Sequence, residues 1–433
     1  MMKLLHTADL HLGRLFHERS LIEDQRYILN QLTDILAEDP HDGLIIAGDI
    51  YDRSIPSPEA VTLFGEFLGN IRRRFPLLPV FIIPGNHDSA ARLGFGTELF
   101  SKLGVHINAD PEASAEPVII DAGGERCAVF LLPFLTPGSL SPERARQEGQ
   151  EGAEDVSAPV PIRSQAKLAE EASLRLEEAV RKVRDSGVQW AVLAGHLFTL
   201  GGVESDSERI FLGTAEQVDV NLFKTFDYVA LGHLHRSQQA APNTWYSGSP
   251  LVYSFGETNR DKVFLSAELK NTQKTGKPET GELFGRDGKD QGSEGPPRKS
   301  QVTVTPIPVS PLRKLTSLSG TFDYFYKDTG GAFEQYKNDY LEISLTDRRL
   351  VENPLALLRP RFPYIMSVKQ GEAFTAYYSK PEAVNSTVSA SGGEKTDILD
   401  DFRAFLEDIY GQGDPEKESL FRDFAEELND ETS

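Results

Sequence analysis

The sequence predicts a layered α/β protein with more than one domain. In residues 1 to about 266, short apolar runs typical of strands alternate with longer stretches whose apolar residues recur at helical spacing. Five of the strand-like runs end directly in Asp, His or Asn, and four of them do so after a glycine. With 433 residues the chain is longer than one ordinary domain, and two or three are expected.

Three helices are predicted in this part of the chain. Residues 20–23 (Ser-Leu-Ile-Glu) have the form of a capping box and predict a helix that ends near Glu38. Ser57 followed by Pro58 predicts the start of a second helix, whose broad apolar stripe suits either core packing or a subunit interface. Residues 165–184 are rich in Ala, Leu and Glu and predict a third.

We place the first domain at residues 1–310. Within it, residues 270–300 contain almost nothing apolar, so we expect a disordered insertion at the tip of a hairpin with strands at 261–269 and 301–309. Residues 311–380 include two further strand-like runs and are predicted to form a small α+β module.

The last segment, residues 381–433, is predicted to be a Ser/Gly linker followed by a pair of amphipathic helices. Residues 397–410 and 416–428 each carry apolar side chains, chiefly Phe, on one face. That face either folds back on its own domain or docks in a groove of a partner. The flexible linker and the acidic polar face favour a partner.

Composition restricts the class of protein. Hydrophobic residues make up 39% and charged residues 26%, values typical of a soluble protein with a sizeable core. The single cysteine, Cys127, lies in a strand-like run, so we expect a buried thiol and a reducing compartment. No apolar run is long enough to cross a bilayer, and the first strand begins too early for a signal peptide. We therefore expect a cytoplasmic protein without membrane contact.

The net charge of −21 lowers the expectation of nucleic-acid binding, but its distribution matters more than its sum. Residues 371–433 hold 16 acidic and 5 basic residues, whereas residues 301–370 hold 9 basic and 7 acidic ones. The acidity therefore belongs largely to the C-terminal tail, and bound divalent cations would offset negative charge locally. The global charge is compatible with a nucleic-acid substrate.

The polar ends of the five strand-like runs suggest a metal centre. Sites in open α/β sheets lie at the carboxyl ends of strands, so these ends are expected to gather at one edge. Oxygen and imidazole donors without sulfur suit Mn, Fe or Zn, and seven donors suit two ions that share one carboxylate, the arrangement used for attack on phosphate esters. The predicted ligands are Asp9, His11, Asp49, Asn86, His196, His233 and His235.

Taken singly, each of these residues has a simpler explanation. An Asp after a glycine is usually part of a turn, and a loop histidine is usually structural. The prediction depends on the whole set, because five of the nine histidines directly follow strand-like runs. The other four complete no such pattern and are expected to have structural or surface roles; they are His6, His17, His41 and His106.

These residues also carry a family resemblance. The stretches at residues 9–11, 48–49, 85–88, 195–196 and 232–235 resemble the five motifs of the calcineurin-like metallophosphoesterases. Longer stretches resemble the bacterial SbcD family, which is related to the archaeal and eukaryotic Mre-type repair nucleases; they are residues 6–13, 201–209, 226–238 and 246–257. The resemblance is strong over residues 1–265 and looser over 311–380.

The resemblance implies a β-sandwich flanked by helices, a capping domain that orients DNA, and a C-terminal helix pair that grips an ATPase. It implies two Mn²⁺ ions, which Mg²⁺, Fe²⁺ or Zn²⁺ could replace. One would be held by Asp9, His11 and His235 and the other by Asn86, His196 and His233, with Asp49 as the bridge.

His87 matches the family's catalytic histidine; the alternative is that it supports Asp9 or Asp49. Asp52 stands where archaeal and eukaryotic relatives usually have His, so a second catalytic histidine is not expected. The basic residues of the module at 311–380 either contact phosphates or form ordinary surface charge. They are Arg313, Lys314, Arg348, Arg349, Arg359 and Arg361.

The implied function is that of a DNA nuclease in end processing, repair, recombination and replication. It would be an exonuclease on double-stranded ends and an endonuclease on single strands or hairpins. The implied partners are a second copy of the chain, which would bind through the first helices, and an SMC-like ATPase of the SbcC type. The implied location is the cytoplasm, in association with the nucleoid. Two alternatives are a small-molecule or cyclic-nucleotide phosphodiesterase or phosphatase, and a structural adaptor for the ATPase.

Overall fold

Two six-stranded β-sheets pack face to face and form the centre of the protein, which is described here from a computed structural model. The structure describes residues 1–141, 162–199, 217–257, 261–271 and 300–370, together with 417, 421 and 422. The predicted C-terminal helix pair lies almost entirely outside these residues. In the described part of the chain, no helix is long and apolar enough to cross a membrane.

The elements follow the predicted alternation. The strands are β1 (Met2–Thr7), β2 (Leu15–Phe16), β3 (Arg19–Ser20), β4 (Gly43–Ala47), β5 (Val80–Ile83), β6 (Val105–Ile107), β7 (Val118–Ala122), β8 (Glu125–Leu132), β9 (Trp190–His196), β10 (Tyr228–Gly232), β11 (Gln238–Ala241), β12 (Thr244–Tyr246), β13 (Val263–Asn271), β14 (Ser300–Pro308), β15 (Leu315–Gly320), β16 (Tyr340–Leu345) and β17 (Ile365–Gln370). The helices are α1 (Ile22–Glu38), α2 (Pro58–Arg74), α3 (Ala90–Leu93), α4 (Thr97–Ser101), α5 (Gln165–Asp185), α6 (Phe322–Lys327) and α7 (Pro354–Leu358).

The first sheet has the order β14-β13-β1-β4-β5-β6 and the second has the order β11-β12-β10-β9-β8-β7. Neighbouring strands from β1 to β6 are parallel, as are those from β12 through β10 and β9 to β8. Buried residues of both sheets, among them Phe81 and Trp190, form one core between them. Helices α1 and α2 pack on the outer face of the first sheet and α5 on that of the second. The predicted layered α/β class is confirmed.

The helices begin close to their predicted positions, with one correction. The Ser57 hydroxyl accepts a hydrogen bond from the Ala60 amide, 3.3 Å away, and so caps α2 as predicted. The capping box at residues 20–23 is wrong, since the N-cap of α1 is Leu21, which has no side-chain cap. Because the Leu21 side chain is buried in the core, its packing rather than a side-chain cap determines where α1 begins.

The stripe of α2 is mainly a core face, the first of its two interpretations. Phe64, Phe67 and Ile71 are buried against the first sheet. Val61 is an exception, because 48% of it is exposed. Cys127 is buried as expected, and burial raises the pKa of its thiol, which makes it unreactive.

The predicted hairpin is present, and its strands pair antiparallel from Val263 opposite Pro308 to Asn271 opposite Ser300. Residues 272–299 of the predicted insertion lie outside the described residues. The module that begins near residue 311 contains the three-stranded sheet β15-β16-β17 with α6 and α7 in its connections. Its strands pair in parallel, which the sequence did not indicate.

Arg313 connects this module to α1, so this residue is structural rather than a free contact for phosphate. Its guanidinium donates to the Asp24 carboxylate at 2.9 Å and to Glu23 at 2.7 Å. Tyr340 donates its hydroxyl to the same Asp24 carboxylate at 2.6 Å. Because Asp24 is only 2% exposed, these partners take the place of the water that would otherwise solvate its carboxylate.

We therefore expect Arg313→Met to destabilise the folded chain by about 3–5 kcal/mol, the usual cost of leaving a buried charge without its partner. Denaturant unfolding would measure this. Lys314→Met is the matched control, since Lys314 is the next residue and is exposed. Equal stability of the two variants would contradict the structural role of Arg313.

Candidate metal centre

The carboxyl ends of β1, β4, β5, β9 and β10 meet at one edge of the sandwich, and they bring all eight predicted site residues together. Parallel pairing makes this possible, because it places these strand ends side by side. Six of the eight are buried, whereas Asn86 and His87 are partly exposed. The donors fall into two groups with Asp49 between them.

The first group contains His11 and His235. Their Nε2 atoms are 3.0 Å apart, and the His11 Nε2 atom is 3.6 Å from Asp49 Oδ2. Two ring nitrogens that share one ion at about 2.0–2.1 Å would be about 3 Å from each other. The separation of the two histidines therefore suits a common ion.

The second group contains Asn86, His196 and His233. Asn86 Oδ1 is 3.0 Å from His196 Nε2 and 3.0 Å from His233 Nδ1. His196 Nε2 is also 3.6 Å from Asp49 Oδ2, the same oxygen that approaches His11. Asp49 is thus equally distant from both groups, as expected of a carboxylate that bridges two ions.

Asp9 lies beside the second group, although it was predicted with the first. Its Oδ1 atom accepts a hydrogen bond from the His233 backbone amide at 2.9 Å and is 3.9 Å from His196 Nδ1. One carboxylate oxygen of Asp9, one carboxylate oxygen of Asp49 and one ring nitrogen of His196 lie within 4.8 Å of one another. His196 Nδ1 and the His233 amide serve here as hydrogen-bond donors, so the grouping of Asp9 with His11 and His235 stays a prediction.

The backbone is strained at four of these residues. Asp9, His11, Asp49 and His233 have φ values of 53°, 43°, 47° and 102°, in a region that residues with a side chain rarely adopt. Such conformations cost about 1–3 kcal/mol each and persist where the surrounding structure enforces them, often at functional sites.

The glycines that precede the ligands are required by close packing. A Cβ atom on Gly232 would lie 1.9 Å from the Ala47 carbonyl oxygen, and one on Gly85 would lie 2.2 Å from Asp49 Oδ1. A Cβ atom on Gly48 would meet the His196 ring at 2.1 Å. The glycine-then-ligand pattern thus reflects close approach between the two sheets at Gly48 and Gly232, and between neighbouring strand ends of the first sheet at Gly85.

We expect Gly232→Ala to cost more than about 3 kcal/mol of stability, because the added methyl group meets the backbone of β4 and cannot be relieved by a side-chain rotation. Thermal unfolding would measure the loss. Gly65→Ala on α2 makes the same chemical change with nothing within 4 Å and should stabilise by up to about 1 kcal/mol. Similar effects at both positions would refute the packing argument.

Burial keeps four histidines of the site neutral. It lowers the pKa of His196 to about 3 and lowers the pKa of His11, His233 and His235 well below 6.5. A neutral ring is the form that binds a metal. Burial also raises the pKa of Asp49 to about 6, and desolvation followed by the charge of Asp49 raises the pKa of Asp88 to about 7. A nearby cation would stabilise both carboxylates as anions.

The surroundings of His196 indicate that a cation fits. Its Nδ1 atom donates to the Ala47 carbonyl oxygen at 2.9 Å, so in the neutral ring Nε2 carries a lone pair. That lone pair faces Asn86 Oδ1 and Asp49 Oδ2, which are acceptors as well. His233 Nδ1 faces the same Asn86 Oδ1 atom at 3.0 Å. Converging lone pairs of this kind suit a divalent cation.

His87 is next to both groups. Its backbone amide donates to Asp49 Oδ1 at 2.9 Å, and its ring is 4.8 Å from that of His11, measured between centroids. Its Nδ1 atom donates to the backbone carbonyl of Asp52 at 3.0 Å, which directs Nε2 away from that contact. The contact uses the backbone carbonyl, so it does not depend on the side chain at position 52.

The sequence did not indicate the role of Asp88. Its carboxylate accepts three backbone hydrogen bonds of 2.9 Å, from Ile50, Tyr51 and Gly85, and so joins the loops that follow β4 and β5. Its place in the motif at residues 85–88 was the only signal. The four other histidines are outside the donor groups; for example, His6 contacts the Tyr228 hydroxyl at 2.9 Å.

Comparison with known proteins shows the family of this chain. Residues 2–237 match the model of the calcineurin-like phosphoesterases, and the chain belongs to that family. The SbcD subunit of the SbcCD nuclease from Staphylococcus saprophyticus is 30% identical over 85% of this chain and 84% of its own length. The SbcD subunit from Staphylococcus epidermidis is 30% identical over 85% of both chains. The solved calcineurin-like phosphoesterase YfkN from Bacillus subtilis is 13% identical over 63% of this chain and 86% of its own, with a TM-score of 0.32.

Proposed function

We propose that this chain is the nuclease subunit of an SbcCD-type enzyme, a metal-dependent phosphodiesterase that cleaves DNA with two Mn²⁺ ions. The observation that carries the proposal is the position of Asp49 Oδ2, 3.6 Å from both His11 Nε2 and His196 Nε2. The ligands would be Asp9, His11, Asp49, Asn86, His196, His233 and His235. Both named relatives are nuclease subunits, which favours DNA over a small phosphodiester as substrate.

When bound, the two metal ions would supply a deprotonated water for attack on phosphorus and offset the charge that develops on the phosphate oxygens. The chain's own contribution is to hold the donors in place. Asp49 faces both groups, and the buried neutral histidines keep their lone pairs available. These features support two-ion catalysis at this edge of the sandwich.

His87 would protonate the leaving oxygen. Because Nδ1 donates to the Asp52 carbonyl, a proton that the ring gains is carried at Nε2, and from there it can be donated. The His87 amide is tied to Asp49, so the ring has a fixed position relative to the metal groups. This arrangement suits a general acid that acts on the side of the leaving group.

The partners follow from the same proposal. An ATPase of the SbcC type would bind the C-terminal segment, and removal of residues 386–433 should eliminate this binding but leave basal cleavage.

A homodimer is supported by exposed apolar side chains on and after α2, since Val61, Phe95 and Leu99 are 48%, 83% and 68% exposed. Sedimentation of wild type and Leu99→Glu would test it, because a charge at the interface should give monomers. A cytoplasmic, nucleoid-associated location belongs to this proposal.

The direct test is cleavage of end-labelled duplex and hairpin DNA by the purified chain with and without Mn²⁺. The expected result is digestion that depends on Mn²⁺ and stops when the ion is chelated. Turnover of a chromogenic phosphodiester without any cleavage of DNA would instead favour a small-substrate phosphodiesterase. Absence of both activities would overturn the proposed function.

A further inference from the structure

The segment at residues 246–257, together with Lys262, contains a buried ion pair that metal binding and acid catalysis do not use directly. The Lys262 ammonium donates to the Glu257 carboxylate at 2.8 Å, to the Ser249 hydroxyl at 2.9 Å and to the backbone carbonyl of His235 at 3.0 Å. The side chains of Lys262 and Glu257 are only 10% and 2% exposed. A cation thus lies against the backbone of a predicted metal ligand.

Stability alone does not explain this ion pair. A buried pair loses so much hydration that its replacement by apolar residues is often neutral or stabilising. An ammonium group offers three donors that point in different directions, and here three acceptors from three parts of the chain receive them. The pair therefore suits a role in fixing the loop that carries His235.

The rest of the segment supports the same loop. Ser249 donates its backbone amide to the His235 carbonyl at 3.2 Å. Gly248 has a φ of +74°, and a Cβ atom there would lie 2.7 Å from that carbonyl oxygen. Contact between the turn and the His235 loop is therefore close.

Tyr253 extends this support to the other histidine of the first group. Its hydroxyl donates to the Leu10 carbonyl at 2.6 Å, next to His11. The centroid of its ring is 5.5 Å from that of His11 and 5.8 Å from that of His235. The second group is oriented differently, since His196 donates to the Ala47 carbonyl in β4.

We propose that Lys262 is a positioning residue for one half of the metal centre: with Glu257 and Ser249 it fixes His235, and so it supports the ion held by His11 and His235. The inference rests on the proposed two-ion function. It assigns to the pair an effect on one ion and none on the ion held by Asn86, His196 and His233.

The test is a Mn²⁺ titration of the full chain. The electron paramagnetic resonance signal of free Mn²⁺ measures how much of the ion remains unbound. The variant is Lys262→Met/Glu257→Met, which removes both charges together and leaves no buried ion unpaired. Loss of a contact that orients a ligand typically weakens metal binding about 10- to 100-fold. We expect this loss for one ion, with the affinity of the other unchanged.

A matched control is Lys182→Met/Glu178→Met, which removes an ion pair of 2.7 Å on the exposed surface of α5 and should leave both affinities unchanged. A His235→Ala background identifies the affected half, because the double change should cause no further loss there. Ser249→Ala removes one acceptor without any change of charge. It should weaken the same ion by a smaller factor, and it gives an answer even where the double variant does not fold.

Equal weakening of both ions, or two unchanged affinities in folded variants, would overturn the positioning role while leaving the proposed function intact. A wild-type chain that bound no Mn²⁺ would overturn the proposed function, and this inference with it. The two failures are therefore distinguishable in one titration.

Discussion

Asp49→Ala should remove both Mn²⁺ ions from the protein and lower DNA cleavage by about a thousandfold or more. The Asp49 carboxylate lies 3.6 Å from ring nitrogens of both donor groups, so its loss affects each ion. A metal ion contributes several kcal/mol to the stabilisation of a phosphate transition state, and each 1.36 kcal/mol corresponds to a tenfold change in rate. Counting Mn²⁺ per chain by elemental analysis, beside a cleavage assay, measures both effects.

Variants of single groups provide the comparison. His11→Ala and His196→Ala should each weaken chiefly one ion, because each ring belongs to one group. Asp49→Asn retains an oxygen acceptor for the His87 amide but has no negative charge, so it separates charge from shape. If Asp49→Ala lost no more Mn²⁺ than His11→Ala does, the bridging role would be wrong.

The metal-free form of Asp49→Asn should not be less stable than the metal-free wild type. Burial raises the pKa of Asp49 to about 6, so the charged carboxylate is disfavoured in the folded protein without a cation. Thermal unfolding in the presence of a chelator would measure this. A large loss of stability would mean that Asp49 is mainly structural and that the loss of ions is indirect.

Local patterns in the sequence predicted the strands and their polar ends because both depend on nearby residues. Apolar runs followed by glycine and a ligand predicted β4 and β10, and the turn after each run is fixed by its own residues. The hairpin of β13 and β14 was predicted for the same reason. The family resemblance then proposed which ends share an ion.

What the sequence did not predict depends on contacts between distant residues. Arg313 reads as one basic residue among several, yet it pairs with Asp24, 289 positions away. Lys262 belongs to no motif, and its role is visible only where the chain returns to His235. The hydrogen bond from the His233 amide to Asp9 likewise depends on how the two sheets face each other. Each of these contacts joins residues that are far apart in the sequence, so local periodicity carries no information about it.

His87→Gln should retain both Mn²⁺ ions and lose about 10²- to 10⁴-fold in DNA cleavage, the range typical of a missing general acid. Glutamine preserves the backbone amide that donates to Asp49, so the metal groups remain in place. Its side chain cannot gain and release a proton near neutral pH. His106→Gln is the matched control, since His106 stacks on Phe81 in the first sheet, outside the donor groups.

The leaving group decides between the two interpretations of His87. The alkoxide released from DNA needs a proton, whereas the nitrophenolate released from a chromogenic phosphodiester does not. If His87 acts as an acid, His87→Gln should impair cleavage of DNA far more than that of the chromogenic substrate. If it only supports Asp49, both substrates should suffer equally and Mn²⁺ binding should weaken as well. The first outcome would make His87 catalytic, because a residue that acts only through the metal ligands has no means of distinguishing one leaving group from another.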